Sequence, residues 1–175
     1  MPRSVEELLA LPGVGRYTAG AVASIAYNQS VPILDGNAMR VLTRLFAIEG
    51  DPKSGATNRL LWDLAEKLVP PDDARTFNVA LMEMGALVCT PTNAQCSSCP
   101  MSDDCAARRM DAVERFPELA PRRATVSVTD VAILVERGDA FLLTKRPRGG
   151  QWAGLWELPR VRCADGESPA DAAKR

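Results

Sequence analysis

The 175-residue chain is 46% apolar and 25% charged, a globular balance that excludes wholesale disorder. Its formal charge is −1, and neither residues 1–124 (13 basic, 15 acidic) nor the remainder (8 and 7) is basic, so net charge lends nucleic-acid binding no support. Histidine is absent, which excludes Ser-His-Asp and Cys-His catalysis and Cys2His2 zinc sites and leaves carboxylates, a metal site, backbone groups or lysine to do any chemistry.

The chain opens on a capping box, Ser4 with Glu7 three residues on, ahead of Leu8 and Leu9, which predicts a short helix over 5–10. Leu11-Pro12-Gly13-Val14-Gly15 follows as a turn, and a second helix is expected from Arg16 to about Tyr27. Ala19, Gly20, Ala21, Ala23, Ser24 and Ala26 make that helix suited to close packing. A turn over Asn28–Pro32 leads to Asp35-Gly36-Asn37 and a helix carrying Met39, Val41, Leu42, Leu45 and Phe46. An amphipathic helix over about 57–68 should bury Leu60, Leu61, Leu64, Ala65 and Leu68 on one face, and another covers 73–88.

Near Phe116 the character changes. Pro117, Pro121, Arg122 and Arg123 read as a linker over 117–124. Beyond it Val126, Val128, Val131, Ile133 and Val135 suggest a strand, Gly138-Asp139 a turn and Ala140–Thr144 a second strand, forming a hairpin. A helix should start after Asp165-Gly166. The expected organisation is a mainly α unit over 1–116 and the opening of an α/β unit over 125–175. With no apolar run of the roughly 18 residues a span requires and no export pattern, the chain is expected in the cytoplasm, associated with the nucleoid in a bacterium, and not at a membrane.

Cys89, Cys96, Cys99 and Cys105 crowd into 17 residues, with six, two and five residues between them. Thiolates at that density can hold zinc or a [4Fe–4S] cluster, and only one Cys-x2-Cys knuckle is present where a zinc ribbon usually has two. Cys163 stands apart and reads as a small buried hydrophobe. In the 11–15 turn, two glycines would let a phosphate approach N–H groups at the positive end of the following helix, a contact with backbone rather than bases. An ordinary helix–helix turn would look the same. Asp35 is well placed as a helix N-cap, which by itself explains it.

Taken together, the Pro-Gly-Val-Gly turn, the Asp35-Gly36-Asn37 start and the 6-2-5 cysteine spacing resemble the MutY-type adenine DNA glycosylases of the helix-hairpin-helix, endonuclease III superfamily. The resemblance implies a [4Fe–4S] cluster on the four cysteines, there to brace the loop and present Arg108 and Arg109 to phosphate. It implies DNA contacts by Leu11, Pro12, Gly13, Val14, Gly15 and Arg16, and an active site containing Asp35, Asn37 and Tyr17. Asp35 would stabilise the oxocarbenium character that builds on the sugar as the glycosidic bond breaks. Where endonuclease III-type enzymes carry a nucleophilic lysine this chain has Tyr17, so base removal without a lyase step is expected. Phe141–Pro147 and Trp152–Pro159 resemble the front of a Nudix fold, the domain this family uses to sense 8-oxoguanine. Residues 166–175 resemble the beginning of a Nudix box, with Glu167 and Arg175 in register, Val161 where the first glycine belongs, and no magnesium-binding acids, so pyrophosphatase activity is not expected.

The implied partner is double-stranded DNA with adenine opposite 8-oxoguanine or guanine, and the implied state is a monomer. The family's catalytic glutamate lies in a longer segment ahead of the hairpin. Here ten residues precede Leu11, and Glu6 and Glu7 do not match that motif, so the chain is expected to be an internal piece of the enzyme. Two other readings stay open: an iron–sulfur module that holds DNA without chemistry, and an endonuclease III-like enzyme acting on oxidised pyrimidines.

Overall fold

The computed structural model describes residues 2–121 and 124–175, so Arg122 and Arg123 of the expected linker lie outside the described residues. The chain divides into two compact units, Met1–Pro121 and Arg122–Arg175. No described helix is long and apolar enough to cross a membrane.

The first unit is helical. Helix α1 (Val5–Leu9) begins with the capping box complete in both directions: the Ser4 hydroxyl accepts from Glu7 N–H, and the Glu7 carboxylate accepts from Ser4 N–H. Helix α2 (Arg16–Ala21) runs on into a π-helical turn, Val22–Ala26. Leu8, Ala19 and Ala23 bury against one another, with Val5, Val14, Val22 and Val31 packed around them. The small residues of α2 serve the close approach expected of them. A Cβ built on Gly20 would come within 2.5 Å of the Pro32 carbonyl oxygen, so only glycine lets the 31–34 segment lie on this helix.

Helices α3 (Gly36–Leu45), α4 (Gly55–Leu68) and α5 (Ala74–Glu83) form the main core from Leu34, Ala38, Val41, Leu42, Leu61, Trp62, Ala65 and Leu81. Leu60 departs from expectation: it is 52% exposed, because the buried stripe of α4 is centred on Leu61 and Ala65 and includes Trp62. Phe46 is also exposed, since it caps α3 past the end of its packed face. Helix α5 continues into a second π-helical turn, Met84–Val88, which delivers the chain to Cys89. A 3-10 turn (Cys96–Ser98), helix α6 (Ala106–Arg109) and a second 3-10 turn (Val113–Arg115) follow.

The described residues of the second unit form six short strands. The Gly138-Asp139 turn joins β2 (Glu136–Arg137) and β3 (Ala140–Phe141) in the expected hairpin. The longer strands predicted on either side are not formed. The alternating valines contribute only β1 (Asp130–Ala132), which pairs antiparallel with the distant β6 (Arg160–Arg162), while β4 (Thr144–Lys145) pairs with β5 (Trp156–Glu157). A local alternation of valines carries no information about a partner 30 residues away. Helix α7 (Pro169–Ala172) starts after Gly166, capped by Ser168.

Candidate active site and cysteine pocket

The turn between α1 and α2 is closed by hydrogen bonds from Leu11 N–H to Leu8 and from Val14 N–H to Leu11. Gly13 takes φ +80°, a conformation an L side chain rarely adopts. Gly15 is the N-cap of α2 and offers no side-chain cap, and the first intrahelical bond comes from Ala19 N–H. The N–H groups of Arg16, Tyr17 and Thr18 therefore have no partner within the helix. Nothing stands within 4 Å of a Cβ built at Gly13 or Gly15, so this rim is open. Leu11 and Tyr17 are partly exposed beside it, Pro12 is exposed, and Val14 turns into the core. Arg16 is committed to a neighbour: its guanidinium stacks 3.9 Å from the ring centre of Trp62 on α4.

The 31–34 segment rests on Gly20, and the buried Asn78 of α5 donates to the Val31 carbonyl (2.9 Å). Asp35 then caps α3, its Oδ1 accepting from Ala38 N–H at 2.7 Å. That bond fixes the carboxylate at the positive end of the helix. Asn37, two residues on, accepts at Oδ1 from Arg40 Nη2 (2.8 Å). Gly85 presses against it: an added Cβ would lie 2.7 Å from Asn37 Cβ and 2.9 Å from its carbonyl oxygen. No hydrogen bond among the described residues joins Tyr17 to Asp35 or Asn37.

The four cysteines converge. Cys89, Cys96, Cys99 and Cys105 all line one cavity of about 30 Å³, closed by Arg44, Val88, Gln95 and Arg108 among others. All are free thiols. Burial pushes the Cys96 thiol up, the other three cysteines push it further, and Arg44 opposes them. Four anionic thiolates around one space need a cationic centre, so the donor set fits a thiolate-bound metal group. Among the described residues no three Cys, Asp or Glu side chains form a group that could hold a metal ion. Arg109 donates to the Asp103 carbonyl, and Arg108 pairs with Asp103 at 3.5 Å; both arginines are exposed beside the loop. Cys163, in the second unit, is half-buried rather than fully buried.

Two residues that sequence reasoning passed over hold this region together. Arg40 and Arg44 on α3 are only 9% and 2% exposed. Arg40 donates to the carbonyls of Cys89 (2.7 Å) and Gly85 (2.7 Å) besides Asn37. Arg44 donates to Val113 (3.0 Å), Phe116 (2.9 Å), Thr90 (2.7 Å) and Pro91 (3.2 Å), and lies 3.4 Å from Cys89 Sγ. Burial pulls the Arg40 guanidinium below its ordinary value, opposed by Cys89 and Asp35. The available signal was an i, i+4 arginine pair set inside the apolar run Met39–Phe46, where a solvated charge has no place.

Helices built around an open Pro-Gly-Val-Gly turn, with an aspartate capping a later helix, define a helix-hairpin-helix glycosylase fold. The family description "Helix-hairpin-helix motif" matches residues 1–25. A thermostable thymine-DNA glycosylase superposes with TM-score 0.56 at 37% identity, over 63% of this chain and 50% of that one. Endonuclease III in a non-covalent DNA complex gives TM-score 0.51 at 26% identity, with the same coverage of each chain. Within this class the sequence matches the adenine DNA glycosylases: the Arabidopsis thaliana protein of that name is 43% identical over 183 residues, 91% of this chain and 28% of the relative. The chain spans less than half the length of the curated relatives it matches.

Arg44→Met keeps the volume of the side chain and removes its donors, stranding buried carbonyls of the 90–91 and 113–116 segments. We expect a loss of about 3 kcal/mol, read as a lower denaturant midpoint at unchanged slope.

Proposed function

We propose that this chain is the part of an adenine DNA glycosylase that carries the phosphate-binding hairpin, the transition-state carboxylate and an iron–sulfur loop. The observation that carries the reading is Asp35, held at the start of α3 in a chain that is 43% identical to a protein named for this activity. The reaction is hydrolysis of the N-glycosidic bond of adenine opposite 8-oxoguanine or guanine. The bond from the sugar to the adenine nitrogen breaks with its electron pair on the base, and water bonds to the sugar carbon and gives up a proton. Asp35 faces the positive charge that develops on the sugar, its geometry set in advance by Ala38 N–H, so no reorganisation is needed as the charge appears. Asn37, locked between Arg40 and Gly85, orients the neighbouring polar groups.

Tyr17 has no amine to form a Schiff base, so the product is an abasic site in an uncut strand. The proton on the departing adenine comes from another acid. Glu7 is unsuited to that role, because the N–H groups of Arg3 and Ser4 hold its carboxyl below the usual carboxylate range. The unbonded N–H groups of Arg16, Tyr17 and Thr18, with Leu11–Gly15 as the rim, take a DNA phosphate, and Arg16 reinforces it from its seat on Trp62. Cys89, Cys96, Cys99 and Cys105 would hold a [4Fe–4S] cluster, which when bound would cross-link the loop. Residues 1–116 form the glycosylase portion, 117–124 the linker and 125–175 part of a Nudix-like domain for sensing 8-oxoguanine. The ion pair of Glu167 with Arg175 at 2.9 Å is consistent with the box beginning there. A second reading is a DNA-holding module without chemistry, resting on the open N–H groups of the hairpin. It predicts salt-sensitive duplex binding with no preference for the lesion.

Adenine release from a duplex with adenine opposite 8-oxoguanine should fall about 10²–10³-fold in Asp35→Asn, with duplex affinity little changed. Excision that survives the substitution removes Asp35 from the mechanism. Gly15→Ala meets no neighbour within 4 Å and has ordinary φ, so thermal stability should hold while duplex affinity drops by about tenfold. Equal affinity would show that no phosphate sits there. Chain purified without oxygen should carry iron and acid-labile sulfide in equal amounts, and zinc in their place would refute the cluster.

A further inference from the structure

Between Asp139 and Glu157 the chain has three cations, Lys145, Arg146 and Arg148, and no acid. In the second unit these cations meet two tryptophans. Lys145 Nζ lies 5.6 Å from the ring centre of Trp156, and the Arg146 guanidinium 5.3 Å from that of Trp152. Arg146 is anchored: it donates to Glu157 at 2.7 Å, and its backbone bonds to Leu155 and Gly154 close the loop that joins β4 to β5. Lys145 and Arg148 are exposed and have no ion-pair partner among the described residues. With Pro147 and Gly154 they border an open cavity of about 500 Å³.

The indoles face outward. Trp152 is 61% exposed and Trp156 63%. Trp152 also adopts φ +58°, an unfavourable conformation for a bulky L residue, and the surrounding loop bonds hold it there. Bare apolar surface alone would suggest a protein partner. Cations stacked on exposed rings point elsewhere, because they offer phosphate attraction and π faces in one strip.

We propose that this strip binds single-stranded nucleic acid, with Lys145 and Arg148 on the phosphates and Trp152 and Trp156 stacked on unpaired bases. The site lies in the other unit from Asp35 and the hairpin and does not depend on the glycosylase reading.

The test is titration of the whole chain with oligo-dT, which has bases free to stack, following tryptophan fluorescence and the anisotropy of labelled oligonucleotide. Trp62 lies under Arg16 at the hairpin and also emits, so the quenching due to the strip is read as the difference between the parent and Trp152→Ala. Quenching on binding is expected, with about tenfold weaker affinity in Trp152→Ala and a shallower salt dependence in Arg148→Ser. Both side chains are exposed, and circular dichroism confirms that the variants fold. The proposal is overturned by unchanged fluorescence, by equal quenching with a duplex of the same length, or by Trp152→Ala binding as the parent does. It is likewise overturned if Trp152→Ala leaves oligonucleotide binding intact and abolishes self-association, which makes the strip a protein-facing surface.

Discussion

The first unit depends on two guanidinium groups buried in one helix. A guanidinium has five donors and no acceptor, and taking it out of water is tolerable only where carbonyls converge on it. Arg44 meets this condition with four carbonyls from two separate loops, 90–91 and 113–116, and Arg40 with Gly85, Cys89 and the Asn37 side chain. Thr90 and Pro91 lie outside any helix or strand, and Val113 belongs only to a three-residue 3-10 turn. Their position is set by α3, because each supplies acceptors that a buried cation cannot do without. Asp35 and Asn37 begin the same helix, so the candidate catalytic end and the cysteine loop are referred to a single rigid rod.

That arrangement explains why net charge says so little about this chain. The cations that matter structurally are withdrawn from the surface. Burial and the three neighbouring thiols raise the cost of ionising Cys96 in a small cavity, and Arg44 opposes them. Local pairing of a cationic helix face with a cysteine pocket leaves no trace in a sum over the whole chain.

Features that rest on neighbours in sequence were legible before any coordinates. The capping box at Ser4 and Glu7, the glycine turn at 13–15, the small face of α2 and the cap at Asp35 are all decided within four residues. Features decided at long range were not. The pairing of Asp130–Ala132 with Arg160–Arg162 is invisible to a period-two pattern, which assigned the valines to the wrong partner. Arg40 and Arg44 were passed over because, Gly36 and Asn37 apart, their acceptors lie 45 or more residues away. Leu60 reads as part of one apolar face with Leu61, Leu64, Ala65 and Leu68, but which side of that face is buried depends on the packing partner, and the stripe centred on Leu61 and Ala65 leaves Leu60 exposed. The cysteine cluster was legible as a set, since spacing alone brings four thiols within reach, but the residue that braces it was not.

The glycines divide along the same line between ligand and packing. Gly20 and Gly85 are pinned by protein: a methyl would strike the Pro32 carbonyl in one case and Asn37 in the other. Their absence of side chain is consumed by the fold, bringing the 31–34 segment onto α2 and the π-helical turn Met84–Val88 onto the start of α3. Gly15 has nothing within 4 Å and an ordinary backbone, so neither packing nor strain requires glycine there. A residue that forgoes helix-capping side-chain bonds, and whose open face holds only unbonded N–H groups, leaves room for something outside the chain.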